Sequence, residues 1–342
     1  MYPRVFRRVM VLLAIFGLLL TGCVSRQEST GASQAPATVS LTELSDLTLQ
    51  VGDQKGGTES LLRAAGALDN LPYKIAFSTF TSGPPQIEAA TAGKIDFAIT
   101  GNTPPIFGAA SGAKVKVVSA YNGGGIGDQI LVPADSPITS VDQLRGKSIA
   151  VGKGSSAHGN VLGQLEKAGL APADVNLVFL QPADALSAFR AGQVDAWAIW
   201  DPFTAQAEQQ LKVRSIAQAN GVTNGYWFGV ASDAALADPK RSTALADLLV
   251  RFAKAAKWAQ GHPQEWAEKY GAAVGLDPKA AEVSQSRSLR LPTALSDEVV
   301  ASEQKIADLF AKSGQIQTAP DFSKWVDRRY ASELEPVLIS SN

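Results

Sequence analysis

Three short turns in this 342-residue chain carry residues suited to holding an anion. They run from Asp53 to Thr58, from Thr100 to Pro105 and from Lys153 to Gly159, and each is Gly-rich or small and polar. Each lies between an apolar run that reads as a strand and a segment that reads as a helix start. Free backbone N–H groups at a helix N-terminus, joined by hydroxyl and amide donors, form an anion site without a buried Arg. The donors at these turns are Gln54 and Lys55, then Thr100, Gly101 and Asn102, then Ser155, Ser156 and His158. Four to six hydrogen bonds to a charged group, at about 1.5–3 kcal/mol each, offset an association cost of about 4–15 kcal/mol and leave micromolar binding. Ser155 and Ser156 suit helix capping as well, and His158 suits packing as well.

A second set is aromatic. Trp200-Asp201-Pro202 places a ring beside a carboxylate, which suits the apolar or amine end of a ligand or a core residue and a turn Asp. Tyr121, just before Gly123-Gly124-Gly125, fits a pocket or the core equally; Trp227 and Phe228 read as core. Covalent or metal chemistry has little material here. The two His, His158 and His262, fall in different parts of the chain, Cys23 is the only cysteine, and no GxSxG is present. Gly152-Lys153-Gly154-Ser155-Ser156 lacks the GxxxxGK[ST] spacing of a phosphate loop. No catalytic residue, metal or cofactor is expected. A net charge of −1, with no run of Lys and Arg beyond the N-terminus, argues against nucleic acid.

The elements that must position these turns come in two similar halves. Leu47–Gly52 and the turn after it have a counterpart 100 residues on in Lys147–Gly152 and its turn, and the stretch from Ile87 to Ile99 has one in Ala185–Ile199. Both halves read strand, Gly-rich turn, helix, then helix, Gly, strand, an α/β pattern of mostly parallel strands. Gly93 and Gly192 fit helix C-termini needing positive φ, and Asp96 and Asp195 open the strands that follow. Two lobes are expected, one from 46–130 and 225–336 and the other from 131–224. Ile130–Pro133 and Tyr226–Ala231 would serve as hinge strands. Ser242 begins an amphipathic helix with Leu245, Leu248, Leu249 and Phe252 on one face, and a second carries Val299, Ile306 and Phe310.

The N-terminus is an address. Arg4, Arg7 and Arg8 precede 12 apolar residues, Val9 to Leu20, too few for the roughly 20 that cross a bilayer. Residues 1–22 read as a signal peptide. Leu20-Thr21-Gly22-Cys23 resembles the lipobox of bacterial lipoproteins, which implies a lipid on Cys23 and a flexible tether over 23–45.

The motifs Gln54-Lys55-Gly56, Gly83-Pro84-Pro85, Thr100-Gly101-Asn102-Thr103-Pro104-Pro105, Lys153-Gly154-Ser155-Ser156-Ala157-His158 and Trp200-Asp201-Pro202 together resemble the aliphatic sulfonate-binding proteins of ABC importers, relatives of the nitrate and taurine receptors. The resemblance implies a two-lobed type II periplasmic-binding-protein fold with two hinge strands. It implies a monomer that closes on a small organic anion, an alkanesulfonate, and delivers it to a membrane permease outside the cytoplasm. The anion-coordinating turns carry over to Gln54, Thr100, Gly101, Ser155 and Ser156, with Trp200 and Asp201 beside the organic part. Ser82-Gly83-Pro84-Pro85 departs from a more usual Ala-Gly-Pro, and Tyr121–Gly125 has no match, which leaves chain-length preference open. Taurine, nitrate or a thiamine-type pyrimidine are alternative ligands, and a periplasmic enzyme on this scaffold is the rival class.

Overall fold

Parallel strands covered on both faces read as near-continuous apolar runs, and two such sets organise this chain. The computed structural model describes residues 37–339, so the leader and Cys23 lie outside the described residues. One sheet contains β1 (Thr48–Gln54), β2 (Lys74–Phe80), β3 (Phe97–Gly101) and β4 (Val115–Asn122). A second contains β5 (Gln129–Pro133), β6 (Ser148–Val151), β7 (Asn176–Phe179), β8 (Ala196–Ile199) and β9 (Val213–Gln218). The chain then returns to the first sheet with β10 (Tyr226–Ser232) and β11 (Leu291–Thr293).

The strand orders are β2-β1-β3-β10-β4-β11 and β7-β6-β8-β5-β9. Apart from β11 the two correspond strand for strand. In each, three parallel strands are followed by one antiparallel strand supplied by the crossing chain, β10 in the first and β5 in the second. The duplicated Gly and Asp explain part of this match. Gly93 and Gly192 both adopt φ 67°, and each is followed by an Asp that accepts a neighbouring strand's N–H, Gln50 to Asp96 at 2.7 Å and Ser148 to Asp195 at 2.8 Å.

Helices α1 (Thr58–Ala64), α2 (Gly83–Thr91) and α3 (Thr103–Ala110) belong to the first sheet. Helices α4 (Ser156–Lys167), α5 (Pro182–Arg190) and α6 (Phe203–Gln210) belong to the second. The returning chain adds α7 (Asp233–Ala237), α8 (Pro239–Gly261), α9 (Pro263–Val274), α10 (Pro278–Arg287), α11 (Asp297–Lys312) and α12 (Ala331–Leu334). The apolar stripe of α8 buries Leu245, Leu248, Leu249 and Phe252 on one face of the first sheet, and α11 buries Val299, Ile306 and Phe310 on the other. The second sheet has its own core around Ile149, Val161 and Trp197.

Two expectations change. The segments read as hinge strands are regular sheet strands, and the crossings are the Gly-rich stretch 123–128 and the stretch 219–225 that precede them. The end of the expected tether is folded: Ser40 and Glu43 form a capping box on Leu41–Leu44, Leu44 is fully buried, and the Val39 N–H donates to Thr243 Oγ1 at 3.2 Å.

The crossings touch. The Gly123 N–H donates to the Gly225 carbonyl at 3.0 Å, and a Cβ on Gly225 would stand 2.6 Å from Gly125 N and 2.7 Å from Gly124 C. A side chain there forces backbone apart. Gly221 also has positive φ but open space around it. Gly225→Ala is therefore expected to lose about 1–3 kcal/mol more stability than Gly221→Ala in urea denaturation, because both share the backbone strain and only one adds a clash. Equal losses would show that the crossings are free to separate.

Candidate functional site

The carboxyl ends of parallel strands face the cleft between the sheets, where open α/β folds place ligands. Trp200, just after β8, and Trp227, on β10, face this cleft from the two sheets and together border two narrow voids of about 20 Å³ each. One void is lined by Gly101, Asn102, Asp128, Ser156 and Tyr226, the other by Gln54, Lys55, Thr81, Asp201 and Arg290. Of the residues singled out by sequence, Gln54, Lys55, Gly101, Asn102, Ser156, Trp200 and Asp201 therefore meet here.

Most of the polar groups at the three turns already have partners. Asp53 reaches forward from β1 and accepts the N–H groups of Thr58 at 2.5 Å and Glu59 at 3.3 Å, so the start of α1 is capped by a carboxylate rather than open to an anion. Burial pushes the Asp53 carboxyl up to about 6, against those hydrogen bonds. Ser155 caps α4, accepting the His158 N–H at 3.4 Å and donating to the Gly152 carbonyl at 2.7 Å. The Gly154 N–H is taken by His158 Nδ1 at 3.2 Å, and Thr100 Oγ1 donates to the Gly101 carbonyl at 3.0 Å. Gln54 Nε2 donates to Gln86 Oε1 at 3.0 Å, and Asn102 Nδ2 to Asn224 Oδ1 at 2.9 Å.

Five of the singled-out residues stand back from both voids. Thr100 and Ser155 are buried in these local bonds. Gly83 starts α2 against Pro104, where a Cβ would come within 2.4 Å of Pro104 Cγ. His158 is fully buried with its ring against Phe107, Phe179 and Phe310, and burial, then Lys153, lowers its pKa to about 4. Tyr121 belongs with them: period-two alternation on β4 turns it towards α8, edge-on to Phe252 at 5.1 Å, so it is a core residue. Trp227 goes the other way, from expected core to cleft wall.

Most of the charges come from residues the turns did not indicate. Arg287, at the end of α10, crosses the cleft to Asp201 with bonds of 3.0 and 3.1 Å and to Glu208 on α6 with two of 2.9 Å. The Asp201 side chain is fully buried, and burial raises its pKa to about 6 even against this pairing. Asp201 is thus neutralised by the opposite lobe. Arg290, three residues on, has no carboxylate within 4 Å among the described residues and lies over the Trp227 ring at 4.6 Å. Lys55 beside it is exposed. Across the paired tryptophans, Asp128 accepts Ser156 Oγ at 2.7 Å, and burial holds its carboxyl up at about 7. The cleft therefore has a cationic end at Arg290 and Lys55 and a carboxyl end at Asp128. Of the cationic end, the sequence indicated Lys55 but not Arg290, which lies far from either repeat.

Comparison with known proteins fits this geometry. A sequence family described as the phosphonate periplasmic substrate-binding protein of ABC transporters matches residues 69–273. A protein of Escherichia coli (strain K12), named for binding aliphatic sulfonates, is 34% identical over 285 residues, covering 82% of this chain and 88% of its own. The alkanesulfonate-binding protein SsuA from Xanthomonas axonopodis pv. citri, solved bound to MOPS, is 30% identical with a TM-score of 0.76, over 83% of this chain and 99% of that one. The periplasmic aliphatic sulphonate binding protein SsuA from Escherichia coli is 28% identical with a TM-score of 0.71, over 86% and 94%. Matches of this identity and length place the chain in the aliphatic sulfonate-binding family of ABC-transporter periplasmic substrate-binding proteins.

Proposed function

We propose that this protein captures an aliphatic sulfonate in the cleft between its lobes, by closure about the two crossings, and delivers it to a membrane permease without altering it. The observation that carries the reading is Arg290, a cation at the cleft without an ion-pair partner within 4 Å among the described residues, which lies over the Trp227 ring and lines one void with Lys55 and Trp200. A planar guanidinium grips a tetrahedral oxyanion through two parallel N–H bonds, and the aromatic walls suit a short apolar body. Gln54, Lys55, Gly101, Asn102, Ser156 and Trp200 would complete the site, while Gly83, Thr100, Ser155 and His158 would shape its walls. Binding without turnover is supported by the two His: His158 sits among phenylalanines and His262 stacks on Trp258. Export is common to the family, and Cys23 would add a lipid anchor that keeps the receptor near its permease.

Calorimetry with methane-, ethane- and longer alkanesulfonates, with taurine, nitrate and methylphosphonate for comparison, tests the ligand class. Arg290→Gln is expected to weaken ethanesulfonate binding about tenfold to a hundredfold, the worth of one or two charged hydrogen bonds. Unchanged affinity would remove Arg290 from the site, and preference for another solute would replace the ligand.

Asp128 makes a second reading specific. A carboxyl between Tyr226 and the two tryptophans suits the ammonium of an aminosulfonate such as taurine. The two readings differ in sign with pH. An anion without an amine raises the Asp128 pKa further on binding, so the complex takes up a proton and affinity falls as pH rises through about 7. An ammonium beside Asp128 lowers that pKa, so affinity rises over the same window. Titrations of ethanesulfonate and taurine from pH 5.5 to 8.5 are expected to give the first slope for ethanesulfonate, lost in Asp128→Asn. A flat ethanesulfonate profile in the native protein would place Asp128 outside the site.

A further inference from the structure

An apolar pocket of about 340 Å³ lies behind the cleft, within the first lobe, between α8, α9 and the end of α10. Leu61, Ala256, Ala259, Pro263, Trp266 and Leu289 form its apolar wall, and Trp266 is fixed by its indole N–H donating to Gln285 Oε1 at 2.7 Å. Its size falls in the range of small-molecule sites, about 300–1,000 Å³. The cleft voids, at about 20 Å³ each, are close to the space of one water and leave no room for a long organic tail in this closed arrangement.

The two spaces share residues of the connection between α10 and β11. Ser288 borders the pocket and one cleft void, and Arg290 borders the pocket and the other. The cation that suits the ligand's head thus stands at the edge of the one large apolar space adjoining the cleft. Resting on the sulfonate reading, we propose that the binding site continues past Arg290 into this pocket, and that the preferred ligand is a sulfonate with a long alkyl or aryl tail, head in the cleft and tail among Ala256, Ala259, Trp266 and Leu289. The charges agree with one orientation only. Arg290 is at the cleft side, whereas Glu282 lies on the pocket lining, so an anionic head is repelled from the pocket and held at the cleft. At roughly 30 Å³ per water-sized group the pocket takes about ten carbons.

The test is a chain-length series by calorimetry, ethane- to decanesulfonate below micelle concentrations, on the native protein and on two pocket variants. Ala259→Trp fills the pocket, and Leu289→Gln, at an exposed position of its rim, makes it polar without adding a charge beside Arg290 and with little risk to folding. Native affinity is expected to rise up to about fourfold per added methylene, and octanesulfonate to exceed ethanesulfonate by a hundredfold or more. Both variants should bind ethanesulfonate within twofold of native and octanesulfonate at least thirtyfold more weakly than native. Ethanesulfonate binding with no gain along the series, or a gain that both variants keep, overturns the pocket and leaves the sulfonate reading standing. Failure of every sulfonate to bind the native protein overturns both.

Discussion

The closed arrangement depends on one contact between the lobes, the grip of Arg287 on Asp201 and Glu208. Asp201 comes from the second lobe and is fully buried, and a carboxylate in that position without a cation costs several kcal/mol. Arg287 supplies the cation from the first lobe, so the pair exists in this form only while the lobes meet. Burial still draws the Asp201 pKa up, a sign that desolvation outweighs the pairing. Such a pair suits a part that has to open again. It also sets the charge of the cleft: Arg287, shared by two carboxylates, has no charge to spare for a ligand, and Arg290 and Lys55 are left to face an incoming anion.

Other interlobe contacts add to this one, among them an exposed Lys312–Glu166 pair at 2.7 Å. Gln181 accepts the hydroxyls of Thr81 and Ser82 at 3.0 and 3.3 Å, and His158 meets Phe107 and Phe310 across the cleft edge. The second crossing is fixed to the first lobe by Asn224, which donates to buried Glu303 at 2.7 Å and accepts from Asn102 at 2.9 Å. A motif residue and a hinge residue are therefore hydrogen-bonded directly, so a ligand touching Asn102 also bears on the crossing.

The duplicated fold was legible because it rests on local rules. Apolar runs bounded by glycines, with an Asp after each helix end, say strand, turn and helix wherever they occur, and two copies in the same order say two lobes. Within the site, sequence identified the turns but not how their donors are used. Whether Ser155 caps a helix or holds a ligand, and whether Asp53 closes the start of α1, depends on partners chosen in three dimensions. Trp227 and Tyr121 face each other in register on neighbouring strands, yet one ends in the cleft and the other in the core. Arg287 and Arg290 were beyond reach for a different reason. They stand outside both repeats, on a segment that meets the cleft only because the chain returns to its first lobe.

In the proposed complex an organic sulfonate sits between Trp200 and Trp227 with its oxygens on Arg290. A crystal of the protein with 2-bromoethanesulfonate measures this directly, since bromine marks the tail by anomalous scattering and the sulfonate is found at its bonded distance. The predicted result is closed lobes, sulfonate oxygens within about 3.2 Å of the Arg290 guanidinium nitrogens, and bromine on the side of the α8–α10 pocket. Bromine elsewhere on the protein, or a sulfonate in the cleft with Arg290 turned away from it, would contradict the account.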